Sequence, residues 1–367
     1  VAEGERQDEG RRGDDPVYEA IGPGWNSGTQ EMQDDAGWAP RPGGPSRVAL
    51  AAAAGDLLAS VRTLRFWLVA AAVPLATCLF AVALVGVAAP YEMQPEEARW
   101  LGYMLAAAMM PASSALLAIH WGLLGRRQLA ARNPPAGLDP GPLAPFLAVA
   151  ARGLVVAVTT LILLVLQAGL AGVSAGSTAG ASAGVVVLEF AIFGAVGAGV
   201  SALLRRRLWA SIVGWTVAGV LVLGNAVAVW ALMPAVRADE PVAVAMNVVW
   251  GPGHTRVAYE CSTELVGRAE VFHTERIVWL VAANPVVMFG MLASGGDAGE
   301  EALGWMPGAL QEAADGTQVP CVNAEPRTRD AVRMPLEVIG LATQGVLAGG
   351  FLAGGQLAAR RRSGSGG

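Results

Sequence analysis

The chain has 367 residues, of which 54% are hydrophobic and only 15% charged. A soluble domain carries about a quarter charged residues, and here the apolar surplus is gathered into long runs, the pattern of a membrane protein. The formal net charge of −5 gives no reason to expect a nucleic-acid partner. All 25 basic residues are arginine. A chain without lysine has neither a Walker A lysine nor a Schiff-base lysine, so any ATP hydrolysis falls to a partner.

Residues 1–46 are polar, acidic and rich in Gly and Pro. They cannot bury enough apolar area to offset the entropy of ordering, and are expected to form a disordered cytoplasmic tail. They also lack the apolar core of a signal peptide. Residues 47–65, with Arg47, Arg62 and Arg65, read as an interfacial helix or as an extension of the first span.

Five apolar runs follow at about 66–89, 100–122, 153–173, 184–204 and 208–233, and a sixth at 335–357. Each approaches the ~20 residues that a helix needs to cross a ~30 Å hydrocarbon core. The expected architecture is therefore an all-α polytopic membrane protein with about six transmembrane helices. Spans one to five and the preceding helix occupy 47–233, and span six is followed by a cytoplasmic tail at 358–367.

Arginine placement sets the threading. Arg47, Arg62 and Arg65, then Arg126, Arg127, Arg132 and Arg152, then Arg205–Arg207, then Arg360–Arg362 alternate with the spans, whereas the intervening short loops hold only Arg99. Both termini are expected in the cytoplasm, with the protein in the inner (plasma) membrane.

Residues 234–334 then form a large extracytoplasmic cap of short strands, turns and some helix, in which acidic residues outnumber arginines. Within it, 277–293 is apolar but short and is interrupted by Asn284-Pro285. It reads as a surface or re-entrant element, or as a buried helix of the cap.

Of three cysteines, Cys78 falls in the first span, while Cys261 and Cys321 share the oxidising side. A bridge between those two would close a ~60-residue loop and stabilise by roughly 4 kcal/mol in the chain-entropy account. His254, Cys261 and His273 fit no zinc spacing and read as surface residues, so no metal or cofactor is expected.

Glu189 lies within the fourth span, and an intramembrane carboxylate is either functional or reaches for the headgroups. Gln167, Asn225 and Gln344 can bond between spans, and Gly194, Gly197, Ala198 and Ala202 permit close helix approach. His120, Arg152 and Glu337 sit near span ends and are expected to face the interface. No nucleophile–base set or paired carboxylates appear, so an enzyme is not expected.

The stretch HTERIVWLVAANPVVMFG resembles a segment of actinobacterial ABC transporter permease-like proteins. The matching residues are His273, Thr274, Glu275, Arg276, Trp279, Asn284, Pro285, Val286 and Val287. That resemblance implies a type-2 exporter permease, working in lipid as a homo- or heterodimer and bound to a separate cytoplasmic ATPase subunit. The loop between spans two and three would be the coupling element, with Arg126, Arg127 and Arg132 around it. The alternatives are a non-transporting scaffold or sensor whose cap binds a ligand, and an intramembrane enzyme built on Glu189.

Overall fold

The computed structural model describes residues 45–88, 93–131, 141–250, 256–293, 305–317, 319–327 and 334–364. The tail expected at 1–46 lies outside these residues except for Pro45 and Ser46, which instead open the first helix. Helix α1 spans Pro45–Val61, and a turn at Arg62–Thr63 separates it from α2, Leu64–Ala88. Next come α3 (Pro95–Ala131), α4 (Leu143–Ala171) and α5 (Gly176–Leu203). Helix α6 (Arg207–Gly219) continues through a π-helical turn, Val220–Gly224, into α7 (Asn225–Leu232).

After a 3-10 turn at Met233–Val236 comes a strand-containing region, and the last long helix of the chain is Leu336–Gly364. Among the described residues, six helical runs are long and apolar enough to cross a membrane. They are Leu64–Ala88, Pro95–Gly125, Leu143–Ala171, Gly176–Leu203, Arg207–Val236 and Leu336–Arg362. The last helix continues six residues past 358, where a tail was expected.

Helices α3 and α5 form the centre and are by far the most buried of the six. Their backbones touch. A Cβ placed on Gly122 would lie 2.9 Å from the Gly197 Cα, and one on Gly197 would lie 2.8 Å from the Ile119 carbonyl oxygen. Gly194 makes room for the Val149 side chain of α4, and Gly199 meets the Phe351 backbone of the last helix. The small residues of the fourth span thus let three helices approach α5 at once.

Trp121 of α3 ties the next layer. It stacks on Phe66 of α2 at 5.7 Å, meets Phe190 of α5 at 5.8 Å, and lies under the Arg152 guanidinium. Arg152 is not at the interface as expected but buried, paired with Asp56 of α1 and donating to Ser60 Oγ at 2.9 Å. Its partner lies 96 residues away in the chain, so nothing in local spacing reveals it. A buried charge persists only when paired, and this pair holds α1 against α4.

Two sets of backbone groups at helix irregularities and ends find side-chain partners. Pro111 cannot donate to the Ala107 carbonyl, and Ser182 Oγ of α5 donates to that oxygen instead at 2.8 Å. At the other end of the bundle, Arg362 Nη2 donates to the carbonyls of Ala202 and Leu203, at the end of α5.

The strand region differs from the short strands expected. Strand β1 (Arg237–Trp250) and strand β2 (Arg256–Phe272) form one long antiparallel ribbon, roughly 45 Å along β1. Its register shifts four times, with Asn247 in a left-handed conformation at φ 53°. Two 3-10 turns (Thr274–Arg276, Val278–Val281), α8 (Pro285–Leu292) and α9 (Trp305–Asp315) lead to the two-residue strands β3 (Cys321–Val322) and β4 (Glu325–Pro326). Strand order is β2-β1-β3-β4. The long final helix, Leu336–Gly364, is α10.

Outward faces of α2, α4, α6, α7 and α10 are apolar. Val87 is 88% exposed, Leu170 86%, Trp230 77% and Val346 74%.

The α3–α5 contact gives a direct test. Gly197→Val should lower stability by about 1–3 kcal/mol through overpacking, seen as an earlier thermal midpoint of the detergent-purified chain. Gly184→Val, on the same helix with nothing within 4 Å of the new Cβ, should leave the midpoint in place.

Candidate functional site

The candidate site is a seam of buried polar groups where α5, α7 and α10 meet the segment before α8. Asn284 and Pro285 create it. Pro at the first helical position and Asn before it start a helix efficiently, and Asn284 Oδ1 accepts from the Val286 amide at 2.9 Å to cap α8.

The other end of the same side chain reaches out of the segment. Asn284 Nδ2 donates to the Val222 carbonyl at 2.8 Å and to Asn225 Oδ1 at 2.9 Å. Asn225 Nδ2 in turn donates to the Leu221 carbonyl at 2.8 Å. The π-helical turn at Val220–Gly224 is the reason these carbonyls are available, because it breaks the regular hydrogen-bond ladder there. Two amides therefore satisfy the irregularity in the fifth span.

On the opposite side, α10 crosses the Ala282–Ala283 turn so closely that a Cβ on Gly340 would lie 2.6 Å from Met288 Sδ. This approach carries Gln344 into the seam. Gln344 Nε2 donates to the Ala283 carbonyl at 3.0 Å and to Glu189 Oε1 at 3.1 Å. Both Glu189 and Gln344 have no exposed surface. Glu189 faces the bundle interior rather than the headgroups. Gln344 Oε1 is buried with no hydrogen-bond partner among the described residues, an arrangement that costs free energy.

The apolar segment 277–293 is thus neither a regular span nor a surface helix. Ala283, Phe289 and Ala293 join the main core of the bundle, and α8 packs on α3, α5 and α10. Val278, Val281 and Ala282 form a second cluster with Ala313 of α9 and Leu336 of α10.

A second polar group sits where the ribbon joins this segment. His273 is buried, not on the surface as expected. Its Nε2 lies 3.0 Å from Glu240 Oε1 of β1, and its Nδ1 lies 2.9 Å from Glu275 Oε1. Arg327 Nη2 bonds Glu240 Oε2 at 3.3 Å, and Thr274 Oγ1 donates to the Ala313 carbonyl at 2.8 Å. Among the described residues, no group of three or more His, Cys, Asp or Glu side chains is arranged to hold a metal ion. His254 lies outside the described residues, and Cys261 is bonded to Cys321.

The disulfide, with a Cα–Cα distance of 5.7 Å, ties β2 to β3. Cys78 is the buried free thiol in α2. Among the motif residues, Trp279 is exposed and its Nε1 donates to the Arg276 carbonyl at 2.7 Å. Arg126 and Arg127 lie in the final turns of α3, with their side chains outside the described residues, as is all of Arg132. Gln167 of α4 donates to the Gly102 carbonyl of α3 at 3.3 Å. Glu337 opens α10, where a carboxylate complements the helix dipole.

Sequence reasoning named Glu189, Gln344, Asn225 and Asn284 separately and missed that they form one seam. The only local signal was a polar residue in each of several apolar runs. Asn284→Ala should cost about 1–3 kcal/mol, because it strips the Val222 carbonyl and Asn225 of a buried partner. A denaturation midpoint unchanged from the parent chain would contradict the seam. The chain matches no protein-family model and no curated protein sequence, so its function is read from this geometry and from the sequence.

Proposed function

We propose that this chain is a multi-pass membrane permease subunit, working in export and energised by a separate ATP-hydrolysing subunit. The observation that carries the membrane part is the apolar sheath. Monomeric soluble proteins rarely expose apolar patches beyond a few hundred Å², whereas here five helices present leucine, valine, isoleucine and tryptophan outward along their length. Lipid is the surrounding that removes this cost.

The arginine alternation supports cytoplasmic termini, with the disulfide-bearing ribbon on the other side. Support for a permease comes from three features. The chain has no lysine for a phosphate-binding loop of its own. Helix α3 runs on past its candidate span at Gly125 to Ala131, and this extension, which includes positions 126 and 127, is an element that a cytoplasmic partner can engage. A buried carboxyl–amide seam crosses the bundle beside an irregular segment, and intramembrane polar groups of this kind mark transport pathways.

One observation favours a second reading, a scaffold or sensor with an extracytoplasmic binding cap. Val244, Met246, Val249 and Trp250 are all exposed on the distal part of β1, a surface suited to a partner.

Purifying the tagged full chain from its native membrane discriminates between them. The permease reading expects a stoichiometric ATP-binding subunit and ATP hydrolysis in the purified complex. Purification with no such subunit under mild detergent, together with neighbouring genes that encode none, would overturn it in favour of the second reading.

A further inference from the structure

We propose that Glu189 of α5 and Gln344 of α10 form a proton-binding site, with the proton carried on Glu189 and donated to Gln344 Oε1. The inference goes beyond the permease reading and rests only on the joint between α5, α10 and the Ala283 turn.

The joint is short of a donor. Glu189 and Gln344 are both fully buried. A glutamine amide nitrogen has two N–H groups. Gln344 Nε2 lies 3.0 Å from the Ala283 carbonyl oxygen, and 3.1 and 3.4 Å from Glu189 Oε1 and Oε2. With one N–H on Ala283, a single N–H remains for the whole carboxyl group. An ionised carboxylate offers about four acceptor positions. On the same amide, Gln344 Oε1 is buried and accepts from no donor among the described residues.

No charge makes up the deficit. The ion pairs among the described residues do not involve Glu189. Of the elements packed on α5, helix α8 has no ionisable residue. In α4, Arg152 is bonded to Asp56 and Ser60. In α3, His120 faces Trp215 of α6 at 6.3 Å, and the charged residues of that helix are confined to its two ends. Arg207 begins α6, Glu337 lies in the first turn of α10, and Arg361 and Arg362 lie in its last. Beside Glu189 on its own helix, Phe190 and Phe193 are fully buried. A buried carboxylate with no cation beside it is unfavourable.

One proton completes the set. Bound to Glu189, it forms an O–H that donates to Gln344 Oε1, while the other carboxyl oxygen accepts from Nε2. The uncompensated charge and the orphaned acceptor are removed together. When the proton leaves, the bond to Oε1 is lost, so loading and unloading the site change the bonding between α5 and α10.

The test is infrared spectroscopy of the full chain reconstituted in phosphatidylcholine vesicles at neutral pH. The parent chain should show the carbonyl stretch of an undissociated carboxyl group, and Glu189→Gln should lose that band. Gln344→Leu, which removes the amide, should move the band to higher frequency. Heavy water should move it to lower frequency, because a site that loads and unloads exchanges its proton with solvent. Isotopic labelling of glutamate carboxyl carbons in the parent chain should also shift the band, and this measurement needs no variant to fold. A parent chain without the band, or a Glu189→Gln spectrum that loses only ionised-carboxylate absorption, would overturn the site. A band unmoved by heavy water would overturn it as well, since the proton would then be fixed. These spectra do not depend on an ATP-binding subunit, so failure of the permease reading and failure of this site are separate results.

Discussion

A buried backbone carbonyl or amide needs a hydrogen-bond partner, most of all in an apolar surrounding, and much of this architecture obeys that constraint. Several places where a helix departs from regularity are met by side chains. Ser182 takes the Ala107 carbonyl that Pro111 leaves behind. Asn284 and Asn225 take the carbonyls of the π-helical turn. Arg362 takes the last carbonyls of α5. The Ser182, Asn284 and Arg362 bonds run between separate elements, so those repairs are also tertiary contacts.

The same constraint explains the segment from Thr274 to Leu292. Its two 3-10 turns and eight-residue helix would be untenable against lipid. Here they lie against α3, α5 and α10, with Gln344 bonding the Ala283 carbonyl and Asn284 closing the start of α8. Residues of the stretch from His273 to Asn284 are thus structural joints. His273, Glu275 and Thr274 fasten the ribbon and α9, and Asn284 fastens the fifth span. Glu189 enters the joint through Gln344, which links the joint to the centre of the bundle.

The long elements were legible because a run of about twenty apolar residues has one structural solution in lipid. Helix ends were not, since polar residues such as Glu96 and Glu97 continue a helix beyond its apolar part. The ribbon reads as short strands in the sequence because Pro, Gly and Trp punctuate 234–334. In the structure, Asn247 adopts a left-handed conformation amid irregular register and the strand continues. The length of 277–293 could not decide its place, because only tertiary packing supplies its partners. Arg152 and Glu189 were misplaced or left open for a similar reason. Their partners are 96 and 155 residues away, and no local spacing encodes such a pairing.

The account stands on the threading of six helices through a bilayer, with the arginine-rich ends on the cytoplasmic side and the ribbon on the other. Paired reporter fusions test it most directly, one behind Arg362 and one inserted between β1 and β2. The account predicts a cytoplasmic signal from the first and an extracytoplasmic signal from the second. Both reporters on the same side, or the signals exchanged, would contradict it.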